Sequence, residues 1–337
     1  DPLCDSGFMR ALRAAMRLGF EPGTAVAPND IKVWLISALK SHAICETDVL
    51  SVIEACHARA RSQEQGRSFV QPGIVAERIV HSYQPGNPVL NNVDIDAPAG
   101  TVTLLAGASG GGKSTLSTIL AGLVEPDSGT VSICGERLSP GLCGMSFQRP
   151  ENQLFLNSAY DEIALAPRCA RLSAADVDEA VRRAAQLVGL TDEQLEFYPY
   201  VLSGGQRRRV AIASVLSIGA KAYIFDEPTA GFDVQGRRDM HRLVRELADG
   251  GAPVVVVSHD LEEWLPVVDR VALLSRGNML WQGSAAEVGQ RFELFEHAGI
   301  KAPENAVLAQ MLSDALQDEA CGPALGAFGE GGEGNAR

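Results

Sequence analysis

The sequence predicts an α/β fold in which a largely parallel β-sheet is covered by helices. Two continuous apolar runs, Ala222–Phe225 and Pro253–Ser258, are typical of strands that are buried on both faces of such a sheet. A third run, Thr101–Ala106, is followed directly by a glycine-rich loop and then by a helical pattern. This alternation of apolar strands with helical stretches indicates the layered architecture.

The composition is that of an ordinary globular protein. The 337 residues suffice for about two domains, and 46% of them are hydrophobic while 21% are charged. The formal net charge of −13 argues against a broad basic surface, so we expect no nucleic-acid partner. Seven scattered cysteines without a CxxC pair favour reduced thiols in a cytosolic protein. The closest candidate for a membrane span, Ile31–Lys40, is too short to cross a bilayer.

Residues 1–70 are predicted to form a helical N-terminal segment of unknown role. Apolar residues at helical spacing begin the chain, and Gly19 is placed as a stop signal. Asn29-Asp30 and Thr47-Asp48 can cap a second and a third helix, and a polar linker follows at 61–68. The segment fits either a helical appendage of the core or the tail of a preceding domain.

From Ile74 the pattern changes to alternating strands and helices. Strands are predicted at Ile74–His81, Val93–Ala97 and Thr130–Cys134, and a helix-rich stretch at Ser158–Leu216. These elements and the three apolar runs make up a main domain at 74–283.

The chain after Gly283 is predicted to be helical at first. A capping box at Ser284–Glu287 predicts the start of a helix, and a second helix is predicted around Glu304–Leu316. We therefore expect a helical C-terminal extension at 284–318. The glycine-rich end lacks apolar periodicity, which predicts a disordered tail at 319–337.

The glycine-rich loop has the chemistry of a phosphate-binding site. It consists of Gly107, Ala108, Ser109, Gly110, Gly111 and Gly112, and the next residues are Lys113, Ser114 and Thr115. A glycine-rich turn between a buried strand and a helix directs several backbone N–H groups into one concavity, which binds phosphate. Lys113 adds a charge for the β- and γ-phosphates, and the Ser114 hydroxyl can bind Mg²⁺. Because glycine-rich loops also serve as plain turns, the loop alone leaves both interpretations open.

Three further motifs follow in a fixed order, and together they point to a family. They are Leu202–Gln206, then Ala222–Glu227, then Ser258-His259. With the glycine-rich loop, this set resembles the ATPase subunit of an ABC transporter over roughly residues 74–283. The resemblance implies a P-loop NTPase of the ABC ATPase type, with a RecA-like core, an antiparallel β subdomain and a helical signature subdomain. It also implies that ATP and Mg²⁺ are bound.

The resemblance assigns roles to polar residues near the strand ends. Asp226 ends a predicted buried strand, where its carboxylate would bind Mg²⁺ together with Ser114 and the amide of Gln148. In the family, the residue matching Glu227 polarises the attacking water, and the residue matching His259 contacts the γ-phosphate. Tyr83 lies 24 residues before Gly107, where the family places an aromatic ring that stacks on adenine. Each of these residues alone would be interpreted as an ordinary cap, loop or packing residue.

The motif Leu202–Gln206 implies a second nucleotide-binding domain. Its serine can cap a helix and its glycines allow an anion to approach the backbone closely; the residues concerned are Ser203, Gly204, Gly205 and Gln206. In the family this signature motif faces the γ-phosphate that another domain binds, and Asp233 matches a loop that communicates across the interface. Since the chain carries one complete set of motifs, the resemblance implies a homodimer or a heterodimer with a homologous subunit.

Several stretches resemble the ATPases of energy-coupling-factor (ECF) transporters, which import vitamins or nickel and cobalt ions. They are Phe147–Phe155, Glu227–Gly231 and Ser258–Glu263, with Phe295–Gly299 similar to the C-terminal domain of that group. The resemblance implies an ATP-hydrolysing energy-coupling subunit at the cytoplasmic face of the membrane. Its implied partners are a second ATPase subunit, a transmembrane scaffold subunit and a substrate-binding membrane subunit. Residues 1–70 depart from the usual plan of the family.

Two other classes of function fit the sequence less well. A soluble ABC ATPase that acts on ribosomes or DNA would need basic surfaces and usually two nucleotide domains in one chain. The acidic balance and the single motif set argue against it. A non-catalytic nucleotide sensor would be expected to lack Glu227 or His259, and both are present. ATP hydrolysis coupled to transport is therefore the favoured function, with substrate recognition left to another chain.

Overall fold

A computed structural model describes residues 72–300 of the chain, which contain two β-sheets and the helices that cover them. The predicted N-terminal helices, the helix around Glu304–Leu316 and the tail at 319–337 lie outside the described residues. None of the helices within residues 72–300 is long and apolar enough to cross a membrane.

The smaller sheet has four antiparallel strands. They are β1 (Ile74–His81), β2 (Leu90–Ala97), β4 (Ser128–Ile133) and β5 (Glu136–Arg137), in the order β2-β1-β4-β5. In β2 the residues Leu90, Val93, Ile95 and Ala97 are buried while those between them are exposed, which is the pattern of a strand with one solvated face. This sheet confirms the expected antiparallel subdomain; β2 begins three residues earlier than predicted, and β4 begins two residues earlier.

The larger sheet has six strands and carries the core. They are β3 (Val102–Ala106), β6 (Cys143–Ser146), β7 (Ala222–Asp226), β8 (Val254–Val257), β9 (Arg270–Ser275) and β10 (Asn278–Ser284), in the order β10-β9-β3-β8-β7-β6. All neighbours pair in parallel except β10, which is antiparallel to β9. The three apolar runs predicted as buried strands are β3, β7 and β8, and every residue in these strands is buried. The strands β6, β9 and β10 are not among those predicted from the sequence.

Helices cover both faces of the larger sheet, as expected. They are α1 (Lys113–Leu120), α2 (Ala159–Cys169), α3 (Ala174–Leu187), α4 (Asp192–Leu195), α5 (Gly204–Leu216), α6 (Val234–Asp249), α7 (Leu261–Trp264) and α8 (Phe292–Ala298). Short 3₁₀ turns occur at Pro150–Gln153, Pro199–Val201 and Ala285–Gln290. The predicted helix-rich stretch at Ser158–Leu216 thus contains α2 to α5. The capping box of Ser284 and Glu287 is present, but it begins a 3₁₀ turn, and the helix α8 starts only at Phe292.

Alternate residues of the central strands contribute to two separate cores. In β8, Val254 and Val256 pack with α2, α3, α5 and α6, while Val255 and Val257 pack with α1 and the antiparallel sheet. Successive side chains of a strand point to opposite faces, so a strand covered on both sides must be apolar at every position. The continuous run of valines in β8 meets this requirement, and it packs the strand into the cores on both faces of the sheet.

Candidate nucleotide-binding site

The predicted site residues follow the carboxyl ends of three adjacent strands. The glycine-rich loop follows β3, Asp226 ends β7, and Ser258 follows β8. Parallel pairing sets Leu105 beside Val257 and Val257 beside Asp226. Residues that are far apart in the sequence therefore lie at one edge of the sheet, where ligands bind in α/β folds.

The glycine-rich loop is shaped by the close approach of β9. A Cβ atom on Gly107 would lie 2.1 Å from the carbonyl oxygen of Leu274, so no larger residue fits there without a shift of the backbone. Gly110 and Gly112 have φ angles of 76° and 99°, in the region that favours glycine. The loop then begins α1 at Lys113, so the N–H groups of the first helical turn are directed at the loop.

Lys113 is buried and binds its own loop. Its Nζ donates to the carbonyl oxygens of Gly107, at 2.7 Å, and Ala108, at 3.0 Å. Burial lowers the pKa of Lys113, while the nearby charges of Glu227 and Asp226 raise it. The lysine thus lies between the loop and two carboxylates, at the position where phosphate charge would be neutralised.

Ser114 and Asp226, two of the residues predicted to bind Mg²⁺, lie next to each other. The Ser114 hydroxyl donates to Oδ2 of Asp226 at 3.2 Å, and only 7% of Asp226 is exposed. Burial raises the pKa of this carboxyl, and the hydrogen bond from Ser114 lowers it. A hydroxyl and a carboxylate oxygen at a buried position suit Mg²⁺, which prefers oxygen ligands and completes its shell with phosphate and water. Gln148 lies two residues after β6 with its side chain exposed.

Glu227 forms a cluster with the residues that follow β8. Its Oε2 accepts from the Ser258 hydroxyl at 3.1 Å, and its Oε1 accepts from the backbone N–H of His259 at 3.2 Å. The ring Nδ1 of His259 lies 2.6 Å from the same Oε1. The Glu227 backbone has φ of 48°, a conformation that costs about 1–3 kcal/mol for a residue other than glycine and that concentrates at functional sites.

Tyr83 lies beside the start of α1 with 64% of its surface exposed. Its hydroxyl is 3.3 Å from Oγ1 of Thr115, and its ring meets the edge of His81 with ring centroids 4.9 Å apart. An exposed ring fixed next to the phosphate loop is available for stacking on a planar base.

The signature motif begins α5 with a complete capping box. The Ser203 hydroxyl accepts from the N–H of Gln206, and the Gln206 side chain accepts from the N–H of Ser203 at 2.9 Å. Gly204 and Gly205 are exposed, and among residues 72–300 no atom outside the local helix backbone lies within 4 Å of a Cβ added at either. The packing of this part of the chain therefore does not require glycine there, and the capped helix N-terminus faces solvent. Asp233 caps α6 by accepting from the N–H of Gly236 at 2.7 Å.

Two residues with roles in this site have no role assigned from sequence. Ser258 orients the Glu227 carboxylate, and its hydroxyl also accepts from the N–H of Asp260 at 3.2 Å. Arg208 is buried and donates to three backbone carbonyls in two loops around the site. The sequence does contain a sign that Arg208 is buried. Arg208 lies one turn before Ile212 and two turns before Leu216, so it shares a helical face with these two buried residues.

The fold and the site together define a P-loop nucleotide hydrolase. The loop, the buried lysine and the serine–aspartate pair suit a nucleotide phosphate chain, and the Glu227 cluster supplies a carboxylate beside it.

Comparison with known proteins narrows this class to one family. A family model described as ABC transporter matches residues 90–230. The energy-coupling factor transporter ATP-binding protein EcfA2 of Symbiobacterium thermophilum is 38% identical over 72% of this chain and 88% of its own length. EcfA2 of Clostridium perfringens is 34% identical over 71% of this chain and 89% of its own length.

Solved structures agree with these relatives. CbiO1 from Clostridium perfringens, part of the ABC transporter complex CbiONQ, is 27% identical with a TM-score of 0.61, covering 71% of this chain and 99% of its own. A dimeric ATP-binding cassette in a post-hydrolysis state with ADP and Pi is 25% identical with a TM-score of 0.57, covering 63% of this chain and 98% of its own. The chain belongs to the ABC transporter family and is an ATPase of the energy-coupling factor type.

The close approach of Leu274 to Gly107 gives a first prediction. Gly107→Ala should lower nucleotide affinity at least about tenfold, because the methyl group cannot fit unless the phosphate loop moves. Binding of a fluorescent ATP analogue measures the affinity.

Gly86→Ala is the matched control. Gly86 also has a positive φ, of 83°, but among the described residues nothing lies within 4 Å of a Cβ there. This variant should lose about 1–2 kcal/mol of stability and keep its nucleotide affinity. Equal affinities for the two variants would contradict the prediction.

Proposed function

We propose that this chain is the energy-coupling subunit of an importer for a vitamin or a transition-metal ion. It would act with a second ATPase subunit, a transmembrane scaffold and a substrate-binding membrane subunit, as a peripheral protein at the cytoplasmic face of the membrane. The observation that carries the proposal is the Glu227 carboxylate, fixed at the end of β7 beside the buried Lys113 and Asp226. The names of the relatives support the transport role, since they are ATP-binding proteins of energy-coupling factor transporters.

In the proposed reaction, the residues of the chain divide into binding and hydrolytic groups. The N–H groups of the phosphate loop and Lys113 bind the phosphates of ATP, and the ring of Tyr83 stacks on adenine. Ser114, Asp226 and the Gln148 amide would hold Mg²⁺, which neutralises charge on the phosphate oxygens. Glu227 accepts a proton from the attacking water, and His259 helps to orient the Glu227 carboxylate and contacts the γ-phosphate.

The open signature helix supports a site shared between two subunits. Its exposed N-terminus carries the partial positive charge of a helix dipole and two glycines that the packing of residues 72–300 does not need. Both features suit the close approach of a phosphate bound by another subunit, with Asp233 near the contact. The dimeric arrangement of a similar cassette supports the same interpretation.

An exposed aromatic surface supports docking to a membrane protein. It consists of Phe155, Phe197, Tyr198, Tyr200 and Val201, which are 41–71% exposed. The Tyr200 hydroxyl donates to the carbonyl of Leu154 at 3.1 Å, and the Tyr198 and Tyr200 rings are 5.4 Å apart, so these residues form one patch next to the chain that follows Gln148. Exposed apolar patches of this kind mark sites of protein association, and an amphipathic helix of the scaffold is the partner that we propose.

The hydrolytic role of Glu227 is tested by Glu227→Gln. The amide retains the shape of the side chain but cannot take up the proton, so steady-state ATP hydrolysis should fall roughly 10²–10⁴-fold while ATP binding remains. Phosphate release by the purified complex measures the rate. Glu179→Gln, at an exposed position of α3, is the matched control and should keep the full rate. Unchanged hydrolysis in Glu227→Gln would contradict the proposed role.

The shared site is tested by Gly205→Ala. Alanine is a better helix former than glycine, so the isolated protein should be as stable as the wild type or more stable, by up to about 0.5–1 kcal/mol. The added methyl group would obstruct a phosphate of the partner subunit, so turnover should fall at least about tenfold. Thermal unfolding and ATP hydrolysis measure the two effects. Full turnover in the variant would show that no partner nucleotide approaches this helix.

The docking proposal is tested by Phe155→Asp. A charge in the aromatic surface should disrupt assembly with the membrane subunits, while ATP affinity stays unchanged because Phe155 lies outside the phosphate-binding residues. Co-purification of membrane proteins with the tagged chain measures assembly. Leu123→Asp is the control, since Leu123 is also an exposed apolar residue, at 57%, and lies three residues after the end of α1. Equal assembly for both variants would refute the proposed surface.

A further inference from the structure

Arg208 of the signature helix binds three backbone carbonyls in two loops of the nucleotide site. Its Nη2 donates to the carbonyl oxygen of Gln148 at 2.9 Å and to that of Glu227 at 3.1 Å. Its Nη1 donates to the carbonyl oxygen of Ala230, which lies between Glu227 and Asp233. One side chain therefore joins α5 to the chain after β6 and to the chain after β7.

Arg208 is buried, so its bonds to these carbonyls are not the contacts of a surface arginine that keeps the protein in solution. Only 7% of the residue is exposed, and within residues 72–300 no carboxylate forms an ion pair with it. Burial lowers its pKa, and the charge of Glu151 raises it. The Phe232 ring lies 5.2 Å from its guanidinium carbon. Burying a cation is costly, even where carbonyl oxygens and the face of an aromatic ring stabilise it. Arginine suits this position because its planar guanidinium carries five donors that can bind several carbonyls at once.

The backbone of Glu227 is held on both sides. Its N–H donates to the carbonyl oxygen of Val257 at 2.8 Å, and its own carbonyl accepts from Arg208. Between these two bonds the residue adopts φ of 48°, which is unfavourable unless the surroundings enforce it. The direction of the Glu227 side chain follows from this backbone conformation, and Ser258 then fixes its carboxylate.

We infer that Arg208 is a positioning residue for ATP hydrolysis: it holds the Glu227 backbone in the conformation that presents the carboxylate to the reacting water. The same guanidinium couples the signature helix to that carboxylate, so the position of α5 affects the hydrolytic group directly. The inference rests on the proposed role of Glu227 as the group that accepts the proton. Within residues 72–300, Arg208 forms no hydrogen bond with the phosphate loop, so it should affect turnover and leave nucleotide binding unchanged.

The first experiment compares Arg208→Met and Arg208→Lys in the full chain, purified with its accompanying subunits. Arg208→Met removes all the donors and should lower kcat roughly 10- to 100-fold, the effect of a displaced catalytic group, with ATP affinity unchanged. Arg208→Lys retains the charge but lacks the planar fork, and should give an intermediate kcat. If Arg208→Met fails to fold, the kcat and the ATP affinity of Arg208→Lys still test the inference.

The matched control removes another arginine from the helical layer. Arg182→Met, in α3, removes the exposed ion pairs that Arg182 forms with Asp178 and Asp192, and it should leave kcat unchanged. A full kcat in both Arg208 variants, or a loss that parallels weaker ATP binding, would overturn the inference.

A second experiment separates positioning from general stabilisation. Single-turnover hydrolysis is measured for Arg208→Met, for Glu227→Gln and for the double variant. If Arg208 acts through Glu227, adding Arg208→Met to Glu227→Gln should cause no further loss. The same fold-loss in both backgrounds would overturn the inference while leaving the role of Glu227 intact. Unchanged hydrolysis in Glu227→Gln alone would instead overturn the proposed function, and the inference with it.

Discussion

The parallel pairing of β3, β8 and β7 determines the positions of Lys113, Asp226 and Glu227 in the nucleotide site. The register sets Leu105, Val257 and Asp226 side by side, so the phosphate loop, the Ser258-His259 turn and the two carboxylates share one edge of the sheet. The pairing persists because each of these strands is apolar on both faces and is enclosed between two cores. A one-residue change of register would move the apolar set of a strand to the opposite face. The packing of the valines therefore fixes the register, and the register fixes where the site residues lie.

The site places several charges in buried positions, and each one is compensated locally. Lys113 is held by carbonyls of its own loop, Asp226 by the Ser114 hydroxyl, and Arg208 by three carbonyls. Burial opposes the charged form of each of these three groups. Buried charges of this kind are weak evidence for stability, and they are typical of functional sites, where they are retained although apolar residues would pack at lower cost.

The sequence allows the fold class and the main site residues to be predicted, because their patterns are local. The apolar runs of β3, β7 and β8 and the glycine spacing of the phosphate loop need no knowledge of distant contacts. The strand β6 is missed because it is four residues long and contains Gly144, which the structure needs because Val215 would lie 2.9 Å from a Cβ there. At the C-terminal end of the main domain, the capping box of Ser284 is found correctly but begins only a 3₁₀ turn, since a cap satisfies N–H groups without fixing helix length.

Contacts between distant segments are what the sequence cannot supply. The bond between His259 and Glu227 depends on the register of β7 and β8, and the three carbonyls that Arg208 binds come from two separate loops. The basic run after the signature motif gives no indication that its middle arginine is buried. Arg208 differs from its two neighbouring arginines in sharing a helical face with Ile212 and Leu216. The packing of the helix shows that this face is the buried one.

The helical layer joins the two surfaces that we propose for external partners. Glu162 of α2 accepts from the N–H groups of Phe155 and Leu156, which attaches the aromatic surface to this helix. The Ser217 hydroxyl at the end of α5 donates to the carbonyl of Ile163 at 2.7 Å, which attaches α2 to the helix that begins with the signature motif. Arg208 then connects α5 to the backbone of Glu227. These hydrogen bonds, together with α5 and α2, connect the Glu227 backbone to the aromatic surface, so a rotation of this layer would change the spacing at both ends together.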